Sequence, residues 1–450
     1  MKQLLILSIL LLFSVCSCSP PSDFTGKWYG SIDMGGFNMR IIFDIKQSAD
    51  AYTATMQSPD QTKEEIPVTV VTCKNNTIDI RIDNIDFQYK GTRGKDGIIK
   101  GSFTQMGQTG KLDLSHTEIA PVTRAQEPLP PFPYKAEDVT FDNKEAAIRL
   151  SGTLTLPEAP GKYTAVVLIS GSGPQNRDEE ILNHKPFLVL ADHLTRQGIA
   201  VLRFDDRGVD ESQGDYAKAT LADFATDVKA ALDYLKTRKE INKDKTGLIG
   251  HSEGGGVAFM LASEKIPAFI VTLAGVGVTG VELLAMQRKA IFRASGIPDA
   301  YIDTFNAYMA EAQQVAVRAK NAGELREGIT KIFTGAPVER QIEQAIQQLS
   351  SPEIISFLKY DPQEYFKNVK CPVLALNGMH DLQVPAAENL SAILNSITAN
   401  GNTNVQTKPY FNLNHLFQTA ATGLPSEYGA IEETFNPEAL TDISQWIKER

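Results

Sequence analysis

The sequence predicts an α/β protein, a mostly parallel sheet with helices on both faces, preceded by a small antiparallel all-β barrel or sandwich. Three observations carry this. The 450 residues exceed what one hydrophobic core usually supports. Short alternating stretches fill Phe24 to Ser115 with no helical period. From Val139 onward, apolar strand-like runs alternate with amphipathic helical ones.

Residues 1–18, "MKQLLILSILLLFSVCSC", give a lysine, an apolar run from Leu4 to Phe13 and then small residues, which is the pattern of an export signal. The stretch "VCSC" at Val15–Cys18 resembles the bacterial lipobox, and that resemblance makes Cys18 the lipidated first residue of the mature chain. The expectation is an exported lipoprotein, periplasmic or at the cell surface, that meets a membrane only through this anchor. A plain cleaved signal is the competing reading. Without the signal only Cys73 and Cys371 remain, and they fall in different domains, so two free buried thiols are expected rather than a disulfide.

Residues 24–117 form the all-β domain. "MRIIFDI", "AYTATMQ", "IPVTVVTC", "TIDIRI", "DFQYKG", "IIKGSFT" and "KLDLS" read as strands between turn signals such as "SPD", "KNN" and "KDG". Residues 118–136 read as a linker, because "EPLPPFPY" packs four prolines into eight residues and is stiff and extended. Residues 137–450 then carry the α/β rhythm: "AVVLIS", "IAVLRF" and "TGLIGH" are strands, each followed by a helical segment. After "FIVTLAG" the rhythm stops, and about 278–366 reads as an inserted helical cap. It resumes with "CPVLALNG", a helix near Ala386–Ser396, a strand at Val405–Tyr410 and a closing helix to Trp446.

The formal charge of −10 is a mild acidity without a basic run, which excludes a nucleic-acid partner. No histidine or cysteine pair falls at ligand spacing, so neither a metal nor another cofactor is expected.

The chemistry concentrates at "GLIGHSEGGG". Gly250-His251-Ser252-Glu253-Gly254 follows an apolar strand and opens a helix. Small residues two positions either side of Ser252 let the serine occupy a sharp turn at the carboxyl edge of the sheet. A serine needs a base and a carboxylate that orients the base. Of the six histidines, His415 follows the last strand, and Asp381 follows the strand before it. Serine, aspartate, histidine is also the chain order found where a serine sits on such a strand–turn–helix elbow. The oxyanion would be met by the backbone N–H of Glu253 and by that of Ser172, in a loop "GSGPQNRDE" where Gly171 and Gly173 permit close approach. A phosphate loop is the competing reading of these glycines, but neither turn has the required ending. Arg177, Asp178, Asp205 and Arg207 read as an ion-pair network that holds these loops. The Glu253 side chain either faces the pocket or pairs with a neighbouring loop.

With "LISGSGPQNRDE", "HKPFLVLADHLTRQGIAVLRFDDRG", "GLIGHSEGG", "LNGMHDLQV" and "NHLFQ" in view, the chain resembles the α/β-hydrolase superfamily from about Val139 to the C-terminus. Together these stretches are similar to a bacterial esterase subfamily, related to serine aminopeptidase-like hydrolases, with an extra domain before the hydrolase. The resemblance implies carboxylester hydrolysis through an acyl-enzyme on Ser252, with His415 and Asp381 as its partners and a small-molecule ester as substrate. One departure is Asp210, where the related pattern has glycine. Two alternatives stay open: an aminopeptidase or oligopeptidase, with Glu253 or a cap acid binding a substrate amine, and a ligand- or glycan-binding protein on a degenerate scaffold.

Overall fold

The computed structural model describes residues 23–450 apart from 35–36, 50, 62–64 and 106–107. The export signal and Cys18 lie outside the described residues. The chain divides into two compact units, Met1–Met34 with Asn38–Ala120, and Gly35–Phe37 with Pro121–Arg450.

The first unit is antiparallel throughout. One sheet contains β1 (Gly26–Asp33), β2 (Asn38–Ser48), β3 (Ala51–Gln57) and β4 (Ile66–Pro67). The other contains β5 (Val70–Lys74), β6 (Thr77–Ile82), β7 (Phe87–Arg93), β8 (Ile99–Gln105) and β9 (Gln108–Lys111). Strict alternation points Met39, Ile41, Phe43 and Ile45 of β2 inward. Phe43 meets Phe87 and Tyr89 of the facing sheet at 6.3 and 5.9 Å between ring centres. The two sheets are joined at both sides. Val68 N–H donates to Ala54 and Thr69 N–H to Arg81, while Leu114 pairs with Ile99 and Ser115 with Tyr29. The outcome is a flattened barrel. The strand "GKWYGSID" is absent from the seven expected because its glycines dilute the alternation, yet Trp28 and Ile32 supply its buried face.

The linker differs from expectation. Within residues 118–136, β10 (Tyr134–Asn143) has already begun. The stretch before it is pinned rather than free: Arg124 donates to the Gly429 carbonyl and pairs with Glu432, and Gln126 bonds the backbone of Thr434 and Phe435. Proline stiffness read as a spacer here serves a strap whose polar side chains anchor it.

The second unit is built on an eight-stranded sheet in the order β10-β11-β13-β12-β14-β15-β16-β17. Its strands after β10 are β11 (Ile148–Pro157), β12 (Tyr163–Ile169), β13 (Ala200–Phe204), β14 (Ile241–His251), β15 (Ile270–Leu273), β16 (Val373–Gly378) and β17 (Val405–Tyr410). β10 and β11 run antiparallel at one edge, and the rest are parallel. Such strands are buried on both faces, which is why they read as continuous apolar runs. Helices α1 (Pro186–Arg196), α2 (Leu221–Thr237) and α3 (Glu253–Ser263) follow β12, β13 and β14 in the chain. A capping box between Thr220 and Asp223 starts α2.

The cap comprises α4 (Gly280–Ala294), α5 (Asp299–Arg318), α6 (Ala322–Phe333), α7 (Ile342–Leu349), α8 (Pro352–Leu358) and α9 (Pro362–Phe366). It has its own core around Met309, Ile329, Phe333 and Leu349. Helices α10 (Ala386–Ala399) and α11 (Pro437–Lys448) complete the unit, and α11 packs on α1. Cys73 and Cys371 are free thiols in different units, half-buried rather than buried. No helix among the described residues is long and apolar enough to cross a membrane.

Candidate active site

The strand order turns back at β12, so the loops after β12 and β14 open beside each other at the carboxyl edge, where sheets of this kind bind ligands. At the end of β14, Ser252 sits at φ +52° and ψ −117°. A serine in this left-handed region is strained by on the order of 1–3 kcal/mol, and the surroundings must hold it there. Ser252 N–H donates to the Leu273 carbonyl at 2.8 Å, and the Ser252 carbonyl accepts from Gly255 N–H at 3.0 Å. The flanking glycines are steric requirements. A Cβ on Gly250 would lie 2.2 Å from the Gly254 carbonyl oxygen, and one on Gly254 would lie 2.4 Å from the carbonyl oxygens of both Ile169 and Ser170.

Asp381 and His415 follow β16 and β17 and are brought together. His415 Nδ1 lies 2.8 Å from Asp381 Oδ2, with both residues buried. Asp381 Oδ1 accepts the N–H groups of Gln383 and Val384 at 2.8 Å each, which fixes the carboxylate. A carboxylate only accepts, so Nδ1 carries the proton and Nε2 is left as the basic nitrogen.

The loop after β12 is held by carboxylates at every second amide. Gly171 N–H donates to Glu179 Oε1 at 2.7 Å, Gly173 N–H to Glu353 Oε1 at 3.0 Å, Gln175 N–H to Asp206 Oδ2 at 3.0 Å and Arg177 N–H to Asp205 Oδ1 at 2.8 Å. The N–H groups of Ser172 and Glu253 donate to none of the described residues. Gly171 lies against the serine, its Cβ position 3.3 Å from Ser252 Cβ.

His251 joins the two loops. Its Nδ1 meets Glu179 Oε1 at 2.8 Å, and its Nε2 meets the carbonyl oxygen of His415 at 3.0 Å. Both partners are acceptors, so both ring nitrogens donate, and His251 is an imidazolium paired with a buried carboxylate. Burial works to lower its pKa, but the charge and hydrogen bond of Glu179 and the His415 carbonyl outweigh it and raise it above the usual histidine value.

The carboxyl of Glu253 lines a cavity of about 20 Å³ beneath the loop, together with Ser170, Asp206, Tyr216 and Val257. That volume holds about one water. Glu253 makes no side-chain hydrogen bond to the described residues. Burial, then the nearby carboxylates of Glu353 and Asp206, push its pKa well above the usual range, and burial pushes Asp206 up to about 8.

The other charges around these loops are paired. Arg177 forks onto Asp205 at 2.6 and 3.0 Å and reaches Glu211 at 2.9 Å. Asp178 pairs with Arg203, and Arg207 with Asp227 and Asp223 of α2. Asp210 takes φ +44°, the backbone region that favours glycine.

Sequence reading missed Glu179, Glu353 and Asp206, and it placed His251 only inside the elbow. Glu179 lies in the quoted loop, but nothing local marks it: its partner His251 is 72 residues away, and Glu353 is 180 residues from Gly173.

Residues 122–415 match the family of X-Pro dipeptidyl-peptidase (S15 family), well over half of the chain. The esterase EstD of Thermotoga maritima is 23% identical over 330 residues, covering 72% of this chain and 71% of that protein. An uncharacterised 31.7 kDa protein of Escherichia coli is 26% identical over 240 residues, 51% of this chain and 76% of its own length. Among solved structures, the Pyrococcus furiosus esterase Pf2001 is 18% identical, covers 70% of this chain and 93% of that one, and superposes with a TM-score of 0.43. By the extent of the family match, the chain is a hydrolase of the α/β-hydrolase fold and belongs to the X-Pro dipeptidyl-peptidase (S15) family.

Proposed function

We propose that this hydrolase cleaves carboxylic esters through an acyl-enzyme on Ser252. The observation that carries the reading is the buried hydrogen bond from His415 Nδ1 to Asp381, made at the same sheet edge as the strained Ser252 turn. In this mechanism His415 Nε2 takes the serine proton as Oγ attacks the acyl carbonyl, and Asp381 stabilises the imidazolium that forms. The oxyanion is received by the free N–H groups of Ser172 and Glu253. His415 returns the proton to the departing alcohol, and a water repeats the sequence to release the acid. Neither a metal nor another cofactor enters any step.

Ser252→Ala is expected to lower hydrolysis of short p-nitrophenyl esters by at least about 10⁴-fold with an unchanged melting temperature. Activity within tenfold of the parent would sink the reading.

A second reading, cleavage of peptide or amide bonds, is favoured by the family itself. It gives the unpartnered Glu253 carboxyl to a substrate ammonium. Two features weigh against it: burial and two neighbouring carboxylates favour the protonated, uncharged form of Glu253, and its cavity is the size of one water. Comparing X-Pro aryl amides with aryl esters of the same size separates the two. The working location that goes with the ester reading is outside the cytoplasm, with the chain anchored by a lipid on Cys18, and mass spectrometry of the mature N-terminus tests that placement.

A further inference from the structure

Inside the cap, Arg288 of α4 points into a cavity of about 160 Å³ that Leu284, Gln287, Gln341, Gln344 and Gln348 also line. Its Nε donates to Asn306 Oδ1 at 2.8 Å. Its Nη2 is buried without a partner, and so is Gln341 Oε1 in the same cavity. Arg288 is half-buried and has no ion pair among the described residues, whereas the buried arginines Arg124, Arg203 and Arg207 each have one. Burial lowers its pKa to about 10, and it remains charged at neutral pH. An unpaired buried charge is costly, which is why such a charge normally meets a counter-ion.

The cavity chemistry specifies the missing group. A guanidinium presents a planar fork of donors that matches a carboxylate, and glutamine amides can turn either end towards it. The volume is comparable to the engineered cavities of about 150 Å³ that take up benzene, enough for a carboxylate with a short carbon chain. One wall residue of the cavity contacts the loop of the candidate triad. Gln287 of its wall meets Gln383 at 3.4 Å, and Gln383 N–H donates to Asp381.

We propose that the Arg288 cavity is a carboxylate-binding subsite, and that the natural substrate carries a carboxylate remote from its scissile ester bond. This rests on the ester reading for its second half only. The test compares mono-p-nitrophenyl glutarate with p-nitrophenyl pentanoate, two acyl chains of equal length of which only the first ends in a carboxylate. The full-length enzyme is expected to prefer the glutarate ester. In Arg288→Gln the ratio of the two kcat/KM values is expected to fall about ten- to a hundredfold, as loss of a charged hydrogen bond implies. An equal loss on both esters, or no preference in the parent enzyme, overturns the proposal.

Calorimetric titration of Ser252→Ala with free glutarate, with and without Arg288→Gln, reads the subsite without any turnover. Binding that Arg288→Gln abolishes supports it, and its absence overturns it. Glutarate that binds yet does not inhibit pentanoate hydrolysis assigns the cavity to a separate anion and overturns the substrate claim. If neither ester is cleaved, the ester reading fails while the titration still decides the subsite.

Discussion

The half-buried loop at residues 171–177 and the Arg288 cavity of the cap belong to the same unit, and they treat charge in opposite ways. In the loop, Glu179, Glu353, Asp206 and Asp205 each accept a backbone N–H, and Glu179 and Asp205 also hold a cation. In the cap, Arg288 faces a cavity with no counter-charge. Buried charges that the chain satisfies itself fix its geometry, whereas a charge left unsatisfied identifies what the chain is built to receive. The Ser172 and Glu253 N–H groups are the same case in miniature, two donors without an acceptor among the described residues beside amides that carboxylates hold.

The deepest cut into that comparison is Glu179→Leu. It removes the acceptor of Gly171 N–H and the partner of the His251 imidazolium together. Breaking a buried pair costs about 3–5 kcal/mol, so chemical denaturation should show a loss of that size, with hydrolysis falling alongside it. A loss under about 1 kcal/mol would mean that the pair is solvated and does not organise the loops.

Gly254→Ala attacks the same place sterically. Its Cβ would meet two carbonyl oxygens that belong to the end of β12 and cannot move independently. Overpacking of this kind costs about 1–3 kcal/mol. Activity should suffer more than stability, because the displaced carbonyls lead directly into the loop that carries Ser172.

How much of this was legible follows from the sheet. Parallel strands deliver their chemistry at carboxyl ends, so the positions of Ser252, Asp381 and His415 after β14, β16 and β17 could be read from the apolar runs together with the Gly-x-Ser-x-Gly pattern and the sorting of the six histidines. The acids could not. Glu353 on a cap helix looks like an ordinary solvent-facing charge, and only the folded chain puts it on Gly173 N–H and, at 2.8 Å, on the Tyr216 hydroxyl. Arg288 is hidden in the same way, since a basic residue on an amphipathic helix gives no sign that its face lines a cavity. The strap before β10 misled for a related reason: its prolines were visible, but the acceptors of Arg124 and Gln126 lie about 300 residues further on.

The smallest effect tests the pH behaviour of the His251 pair. Glu179, Asp381 and His415 are the titratable groups that face this ring. The folded-state pKa of His251 is raised, so its contribution to stability is complete below about pH 6.5, the unfolded value, and is lost as pH rises through the folded value. The raised Asp206 and Glu253 act in the same direction, because the folded state binds more protons than the unfolded one above the ordinary carboxylate range. Stability should therefore decline between pH 6.5 and 9. Glu179→Gln keeps an oxygen for Gly171 N–H and removes the charge that raises His251, so only the His251 share of the decline should disappear. Melting curves of the parent and Glu179→Gln over that range should converge as pH rises, and parallel curves would show that His251 is neutral in the folded protein.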